Sequence, residues 1–291
     1  MTPIPKPLPI SRVPPPSPSP TRTFFTASSL AALAVAALTT ADPAAKAAAA
    51  RAMAAAWREG ALQVGVAAPP DRPARPVRPE LRRPGDMPKR RGAGSPENRI
   101  ALLHALAHIE LNAIDLACDI LARFPEADMP REFHDDWVSV ADEEAKHFGM
   151  LSARLAELGG AYGDLPAHDG LWQAAEETAG DLLARLAIVP LVLEARGLDV
   201  TPKMIGDLKR AGDETSAAVL GVIYEEEIGH VGIGRRWFLF ECERRALDPA
   251  QAWGTLVRKH FRGVLKPPFN DEARIAAGLV PAEYAALAES V

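Results

Sequence analysis

The sequence predicts an all-α protein organised around a four-helix bundle. Its 291 residues are 48% hydrophobic and 24% charged, which is enough apolar material for one sizeable core with flanking pieces. Four long segments place apolar residues at the three- and four-residue spacing of amphipathic helices. The apolar face of each segment also contains glutamate or histidine, in an order that repeats once along the chain. Those polar residues predict chemistry as well as fold.

A lone glutamate precedes a Glu-x-x-His pair twice, by 34 residues in the first half and by 33 in the second. Residues three apart share one helix face, so a Glu and a His at that spacing can bind one ion together. This is the ligand order of a di-metal carboxylate site in a ferritin-like bundle. The six predicted metal ligands are Glu110, Glu144, His147, Glu194, Glu227 and His230.

A counter-charge for these side chains has to come from outside the helices. Chance predicts about 0.5 Glu-x-x-His pairs in a chain of this composition, and no Lys or Arg occupies the four apolar stripes. Unpaired carboxylates on a buried face are costly, so a cation is the economical partner. Four carboxylates and two imidazoles suit two iron ions, or manganese, better than the thiolate sites favoured by zinc.

Two neighbouring glutamates have an open role. Glu143 and Glu226 each directly precede a predicted ligand glutamate. Either they orient a ligand imidazole from behind, or they belong to the solvated helix face. Both alternatives remain open from sequence.

The first helix contains several residues that could be ligands. His104 and His108 are four residues apart, a metal-compatible spacing, but they lie on a different side of the helix from Glu110. Core packing or hydrogen bonding to a ligand is therefore favoured over direct ligation. Glu97 and His108 are the substitutes for Glu110.

The amino-terminal part divides into two segments. Residues 1–26 are rich in Pro and Ser, cannot bury a core and are predicted to be a disordered tail. Residues 27–66 are predicted to be packed helices, one over Ser29–Leu38 and one from Asp42-Pro43 to about Trp57. A secretory signal is the alternative for the first, although the apolar run begins late and is too short to span a bilayer.

Residues 67–94 alternate proline with arginine and lysine. This composition predicts an extended, polyproline-like linker or strap. A basic strap can contact RNA phosphate or an anionic substrate, or it can lie against the acidic body of its own protein.

Helix-terminating residues divide the remainder into a bundle over 95–247 and a carboxy-terminal helical extension over 248–291. Pro190, four residues before Glu194, predicts a kink or wide turn where a ligand must be positioned. Three glycines around His230 favour close helix packing, with room for a small molecule as the alternative. The predicted helices are 95–124, 130–158, a third ending near Gly197, a short one opening at Thr201-Pro202, 213–246, and another opening at Asp248-Pro249.

Several segments resemble an uncharacterised bacterial ferritin-like family, a domain of unknown function. They are HALAHIELNAIDLACD (104–119), DWVSVADEEAKHFGML (136–151), YGDLPAHDGLW (162–172), LARLAIVPLVLEARGLDVTP (183–202) and IYEEEIGHVGIGRRWF (223–238). The resemblance spans roughly 28–285 and implies a ferritin-like bundle with a metal site, and no particular substrate. By motif it includes all the predicted ligands except Glu110, which matches by position. Ubiquinone-pathway hydroxylases and tRNA hydroxylases acting on modified adenosine are wider relatives with a similar ligand order.

The predicted function is a di-iron, or iron/manganese, oxidoreductase that activates dioxygen to oxidise a small or modified substrate. Non-catalytic metal binding or storage, and a helical interaction module, are the alternatives. Arg196 is a candidate for binding an anionic substrate group, with a surface salt bridge as its alternative. The substrate and the electron donor are not specified by sequence.

Composition predicts the surroundings of the protein. A net charge of −5 creates no global attraction for nucleic acid or anionic membranes, so tRNA is a lesser candidate substrate. Cys118 and Cys242 are isolated, which favours a reducing, cytoplasmic compartment. A homodimer is compatible with the sequence.

Overall fold

The computed structural model describes residues 29–87, 92–124 and 128–289. Nearly all of its regular structure is helical, and the all-α prediction is confirmed. Two two-residue strands, β1 (Leu81–Arg82) and β2 (Ala167–His168), pair in parallel. The predicted disordered tail over 1–26 lies outside the described residues.

The helices follow one another with short connections. A π-helical turn over Val189–Glu194 joins the sixth and seventh, and a 3₁₀ turn occupies Pro84–Asp86. In chain order they are α1 (Leu30–Leu38), α2 (Pro43–Arg58), α3 (Pro96–Arg123), α4 (Arg131–Glu157), α5 (Gly170–Glu177), α6 (Leu182–Ile188), α7 (Ala195–Arg210), α8 (Glu214–Arg244), α9 (Pro249–His260), α10 (Asp271–Ala276) and α11 (Pro281–Glu289).

The two amino-terminal helices begin where their capping residues predict. The side chain of Ser29 accepts a hydrogen bond from the backbone N–H of Ala32, and that of Asp42 accepts one from Ala45. Helix α1 packs against α2 and α3, and α2 packs against α4. The apolar run of α1 is therefore part of the protein core.

Four long helices form two pairs that meet at the centre. Helix α3 packs along α4, α7 packs along α8, and α4 contacts α8. Helix α3 is the one described helix that is long and apolar enough to cross a membrane, but 67% of its apolar window is buried inside the fold. Its apolar length is thus explained by contacts with α1 and α4.

The third predicted helix differs from the sequence-based expectation. It is divided into α5 and α6, and its last part does not end near Gly197 but continues as α7 through Pro202 to Arg210. A proline inside a helix frees the carbonyl four residues earlier. Here that carbonyl, of Leu198, accepts a hydrogen bond from the Asn270 side-chain amide at 3.1 Å. Tertiary structure satisfies the group that the local sequence leaves unpaired.

Pro190 lies in the π-helical turn, as the predicted wide turn requires. Helix α8 approaches this turn so closely that a Cβ on Gly234 would lie 2.2 Å from the Pro190 Cβ. A Cβ on Gly232 would make only ordinary contacts, and one on Gly229 would meet nothing within 4 Å. Close packing therefore explains one of the three glycines that surround His230.

The described part of the Pro/Arg-rich segment lies along the body of the protein. Arg75 binds Asp115 and Asn112 of α3, and Arg72 binds Asp169 and Glu176 beside and within α5. Pairing of β1 with β2 secures the segment near its end. Residues 88–91 of the predicted strap lie outside the described residues. These contacts match the alternative in which the strap binds its own protein.

The carboxy-terminal helices cover the α7–α8 pair. Helix α10 contacts both α7 and α8, while α9 contacts α6 and α8. The guanidinium of Arg274, buried in α10, binds both carboxylate oxygens of Asp199 in α7, at 2.8 and 2.7 Å. The π-helical turn itself contacts α5, α6, α7 and α8.

Candidate metal centre

The six predicted ligands come from four elements that meet at the centre of the fold. Glu110 lies in α3, Glu144 and His147 in α4, and Glu227 and His230 in α8. Glu194 is the last residue of the π-helical turn. The widened backbone at Pro190 therefore leads directly to the carboxylate that this segment contributes.

Four of the six side chains form a compact cluster. One ligand atom from each of Glu110, Glu144, His147 and Glu227 lies within 4.8 Å of all the others. The Nδ1 atom of His147 is 3.2 Å from Glu110 Oε2 and 3.6 Å from Glu144 Oε2. Three helices thus direct oxygen and nitrogen atoms at one small volume.

The remaining two predicted ligands border this cluster. His230 Nδ1 lies 2.9 Å from Glu144 Oε1 and 3.5 Å from Glu227 Oε1. Glu194 shares one cavity wall with Glu110, Glu144 and Glu227. The two imidazole rings are 5.8 Å apart, so each can serve a different side of the carboxylate group.

Both imidazoles are held from behind by a carboxylate on the opposite helix. His147 Nε2 donates to Glu226 Oε2 at 2.6 Å, and His230 Nε2 donates to Glu143 Oε2 at 2.8 Å. Because each Nε2 donates outward, each Nδ1 faces the cluster. A neutral imidazole of this tautomer presents its Nδ1 lone pair as a ligand.

The arrangement has approximate two-fold character that can be read in the chain. The pattern Glu-Glu-x-x-His occurs at 143–147 in α4 and again at 226–230 in α8. In each copy the second glutamate faces the cluster, and the first binds the histidine of the other copy. The half-buried Lys146 also forms an ion pair with Glu226, with 2.5 Å between Nζ and Oε1.

The carboxylates and imidazoles of the cluster shift one another's pKa values. Burial, followed by the neighbouring charge of Glu144, raises the pKa of Glu110 well above its ordinary value. Burial, followed by the charge of Glu227, also raises the pKa of Glu194 well above its ordinary value. Although burial opposes it, the surrounding glutamates raise the pKa of His147 to about 11 and raise that of His230.

Glu144 is the exception among the central carboxylates. Burial alone would raise its pKa, but the charges of His230 and His147 outweigh burial, and the pKa lies below the ordinary value. Glu144 therefore remains ionised between two imidazolium groups. The cluster thus combines one carboxylate of lowered pKa with neighbouring carboxyls of raised pKa.

Unsatisfied atoms test whether a metal fits these residues. Both carboxylate oxygens of Glu144, Glu194 Oε2 and His230 Nδ1 are buried without a hydrogen-bond partner. Glu144 Oε1 and His230 Nδ1 lie 2.9 Å apart without the direction of a hydrogen bond. Ligands of one cation approach each other in this way, with lone pairs facing the ion. These unpartnered oxygen and nitrogen atoms therefore fit a cation.

The other histidines of α3 have different partners. His104 Nε2 accepts from the backbone N–H of Gly163 at 2.9 Å. His108 Nε2 donates to the carbonyl of His168 at 3.0 Å, and its Nδ1 lies 2.8 Å from the Tyr162 hydroxyl. Burial, and then the charge of Arg75, lowers the pKa of His108 to about 4, so the ring is neutral. Both histidines therefore secure the loop before α5.

Glu97, the other substitute for Glu110, lies in the first turn of α3 near Ser95. A hydrogen bond to the backbone there and one from Ser95 lower its pKa. In position and partners it is a residue of the helix start. Glu110 is the α3 carboxylate that lies in the cluster.

A cavity of about 220 Å³ opens beside the carboxylates. Its wall contains Glu110, Glu144, Glu194 and Glu227, and the rest is mostly apolar residues of α3, α7 and α8. The α7 wall was not predicted from sequence, because the third helix was expected to end near Gly197. The signal was present as Gly197, Val200, Thr201 and Met204, at three- and four-residue spacing that continues past the expected end.

Comparison with known proteins places the chain in a family. The model of a family described as "Protein of unknown function (DUF455)" matches residues 39–285. The chain belongs to this family. A protein of Haemophilus influenzae described as "Uncharacterized protein" is 41% identical to the DUF455 chain over 213 residues, covering 72% of this chain and 74% of the relative. No solved structure matches it.

Proposed function

We propose that this DUF455 protein is a ferritin-like four-helix bundle with a two-metal centre, and that it is an oxidoreductase. The observation that supports this most directly is the convergence of Glu110, Glu144, His147 and Glu227 within 4.8 Å, with Glu110, Glu144 and His147 buried. Iron is the metal best suited to the donor set, and manganese is the second.

The residues divide into two groups around the proposed ions. Glu144 with His147, and Glu227 with His230, would each hold one ion through a carboxylate and an imidazole. Glu110 and Glu194 would complete the set of donors around the pair. Two such ions supply redox chemistry toward dioxygen when bound.

The protein supplies orientation and exclusion of water. Hydrogen bonds from His147 to Glu226 and from His230 to Glu143 hold both rings with Nδ1 toward the centre. The buried core around the carboxylates keeps bulk water from the reacting groups. The raised pKa values of Glu110 and Glu194 indicate that these two carboxyls can take up or release protons as the charge of the centre changes.

The cavity favours catalysis over storage. Storage requires the passage of many hydrated ions along an acidic surface, whereas the cavity beside Glu194 is lined mostly by apolar side chains. An apolar space next to a redox centre is suited to an organic substrate. We therefore place the enzyme ahead of a storage protein.

Metal analysis and oxygen reactivity test the proposal. Elemental analysis of protein from cells supplied with iron and manganese should find close to two ions per chain, and Glu144→Gln should lose most of them. Ferrous ions added without oxygen, followed by oxygen, should produce a transient visible absorption that decays without mineral. Slow growth of mineral would instead indicate storage, and absence of bound metal would refute the centre altogether.

A further inference from the structure

The cavity beside the carboxylates is lined by residues along α7. Glu194 lies at one end of this wall and Met204 at the other, and ten residues of helix span about 15 Å. Between them Gly197 and Val200 line the space, and Leu106 and Ile223 face it from α3 and α8. Its volume of about 220 Å³ exceeds the ~150 Å³ that accommodates benzene in an engineered cavity.

A surplus positive charge lies on the wall of this cavity. Arg196 lines it and is 43% exposed at the side chain. Its nearest carboxylate, Asp199, is already bound through both oxygens by the buried Arg274, at 2.8 and 2.7 Å. Arg196 reaches Asp199 at only 3.3 Å. The single carboxylate of Asp199 thus faces two guanidinium groups. Because Arg274 binds it more closely, the charge of Arg196 is only partly neutralised.

The guanidinium of Arg196 is also held in position with donors to spare. Its Nη1 atom donates to the backbone carbonyl of Lys266 at 2.7 Å. Within the described part of the chain, its hydrogen bonds and its ion pair all use Nη1. The Nε and Nη2 groups can therefore donate to a carboxylate, in the planar geometry that arginine prefers.

We propose that the substrate of this centre is an elongated apolar molecule with one anionic group, such as a medium-chain carboxylic acid. Its anionic group binds Arg196, and its apolar body lies between α3, α7 and α8, beside the carboxylate cluster. This proposal rests on the proposed function and adds the class of substrate to it.

Gly197 creates space for such a molecule. A Cβ built on this residue meets no atom within 4 Å, although Gly197 lies inside α7 and lines the cavity. Glycine inside a helix costs about 1 kcal/mol relative to alanine. The missing side chain at Gly197 leaves room for a ligand in the cavity. A larger side chain at this position would fill the cavity without a clash.

Calorimetric titration with decanoate, and with decanol as its uncharged match, tests whether Arg196 binds an anionic group. The full-length chain should bind one decanoate, about tenfold more tightly than decanol. Arg196→Gln should remove this preference and leave decanol binding unchanged. Arg210→Gln, at an exposed position on the same helix, should behave as wild type. Equal affinity for the two probes would overturn the proposal, as would a decanoate affinity that is independent of Arg196.

Filling the cavity tests the location. Gly197→Leu should weaken binding of both probes at least tenfold while the Tm is kept or raised, because leucine is a better helix former than glycine. Gly149→Leu, at an exposed glycine of α4 with open space around it, should leave binding intact. Normal decanoate binding by Gly197→Leu would refute this site.

The two proposals can fail separately. Metal content is measured by elemental analysis on the same protein samples that are titrated. Decanoate binding that depends on Arg196 in protein unable to hold metal would refute the two-metal centre and keep the ligand class. Two bound metals without probe binding would refute the ligand class and keep the centre.

Discussion

Replacing Glu194 by glutamine should stabilise the metal-free protein, which is the opposite of what a substitution in a core normally does. Glu194 Oε2 is buried without a hydrogen-bond partner, and burial and the charge of Glu227 hold its pKa well above the ordinary value. Folding at neutral pH must therefore protonate this carboxyl or bury it as an unpaired charge. Glutamine keeps the shape and removes that cost.

The pH dependence of this stabilisation follows from the link between protonation of Glu194 and folding. We expect the free energy of unfolding of the metal-free chain to rise by about 1–2 kcal/mol at pH 7, the range of single stabilising substitutions. In a chain of this length each kcal/mol corresponds to roughly 2–4 °C in Tm. Because the folded-state pKa of Glu194 is raised, its penalty grows as pH increases above the unfolded value of about 4.3 and is absent below it. The gain of Glu194→Gln should accordingly vanish near pH 4.

Thermal unfolding with a chelator present measures this effect. The matched control is Asp119→Asn, which makes the same chemical change at a carboxylate that is buried but bound by Arg185 at 2.6 Å and by Arg123 at 2.8 Å. Breaking a buried pair in this way costs about 3–5 kcal/mol. Manganese at a hundred times its dissociation constant should stabilise wild type by about 2.7 kcal/mol and the Glu194→Gln variant by less.

Three outcomes would refute this reasoning. The first is a metal-free Glu194→Gln variant that melts below wild type at pH 7. The second is a gain in Tm that persists unchanged at pH 4. The third is a wild-type Tm that does not respond to manganese or iron, because ligand binding to the folded state must raise it.

Three further predictions concern proton release, ligand orientation and packing. Metal binding at pH 7 should release protons and weaken as pH falls. The reason is that the pKa of His147 is about 11, so that a metal has to displace the proton on Nδ1. Calorimetry in buffers of different ionisation enthalpy measures this proton release. Glu226→Gln should lower metal affinity about 10–100-fold, because the carboxylate behind the ring sets its orientation; competition with a chromophoric chelator measures this. Gly234→Ala should destabilise by about 1–3 kcal/mol, because its Cβ would overlap Pro190; urea unfolding measures this.

Each of these has a control in the same helix. Glu225→Gln, at an exposed neighbour of Glu226, should leave the metal affinity unchanged. Gly229→Ala, where the added Cβ meets open space, should stabilise by up to about 1 kcal/mol. Equal effects of Glu225→Gln and Glu226→Gln, or of the two glycine substitutions, would contradict the geometry. A metal affinity that does not change between pH 6 and pH 8 would contradict the displacement of a proton by the metal.

Local signals in the sequence were sufficient for most helix starts. Ser29, Asp42, Ser95, Asp213 and Asp248 each cap the helix that they were expected to begin. A capping side chain needs only the backbone N–H groups two or three residues further on, so its effect is contained in a few consecutive residues. The predicted end of the third helix was wrong for the converse reason. Gly197 and Pro202 are local signals for termination, and remote partners overrule them.

The sequence by itself determined the all-α class and which glutamates and histidines share a helix face, because helical periodicity links residues three and four apart without reference to the rest of the chain. Only the tertiary structure decided that His147 is held by Glu226 and His230 by Glu143, that Asn270 satisfies the carbonyl freed by Pro202, and that α7 leaves a cavity beside Glu194. Those contacts join residues far apart in the chain, and their existence depends on how whole helices pack.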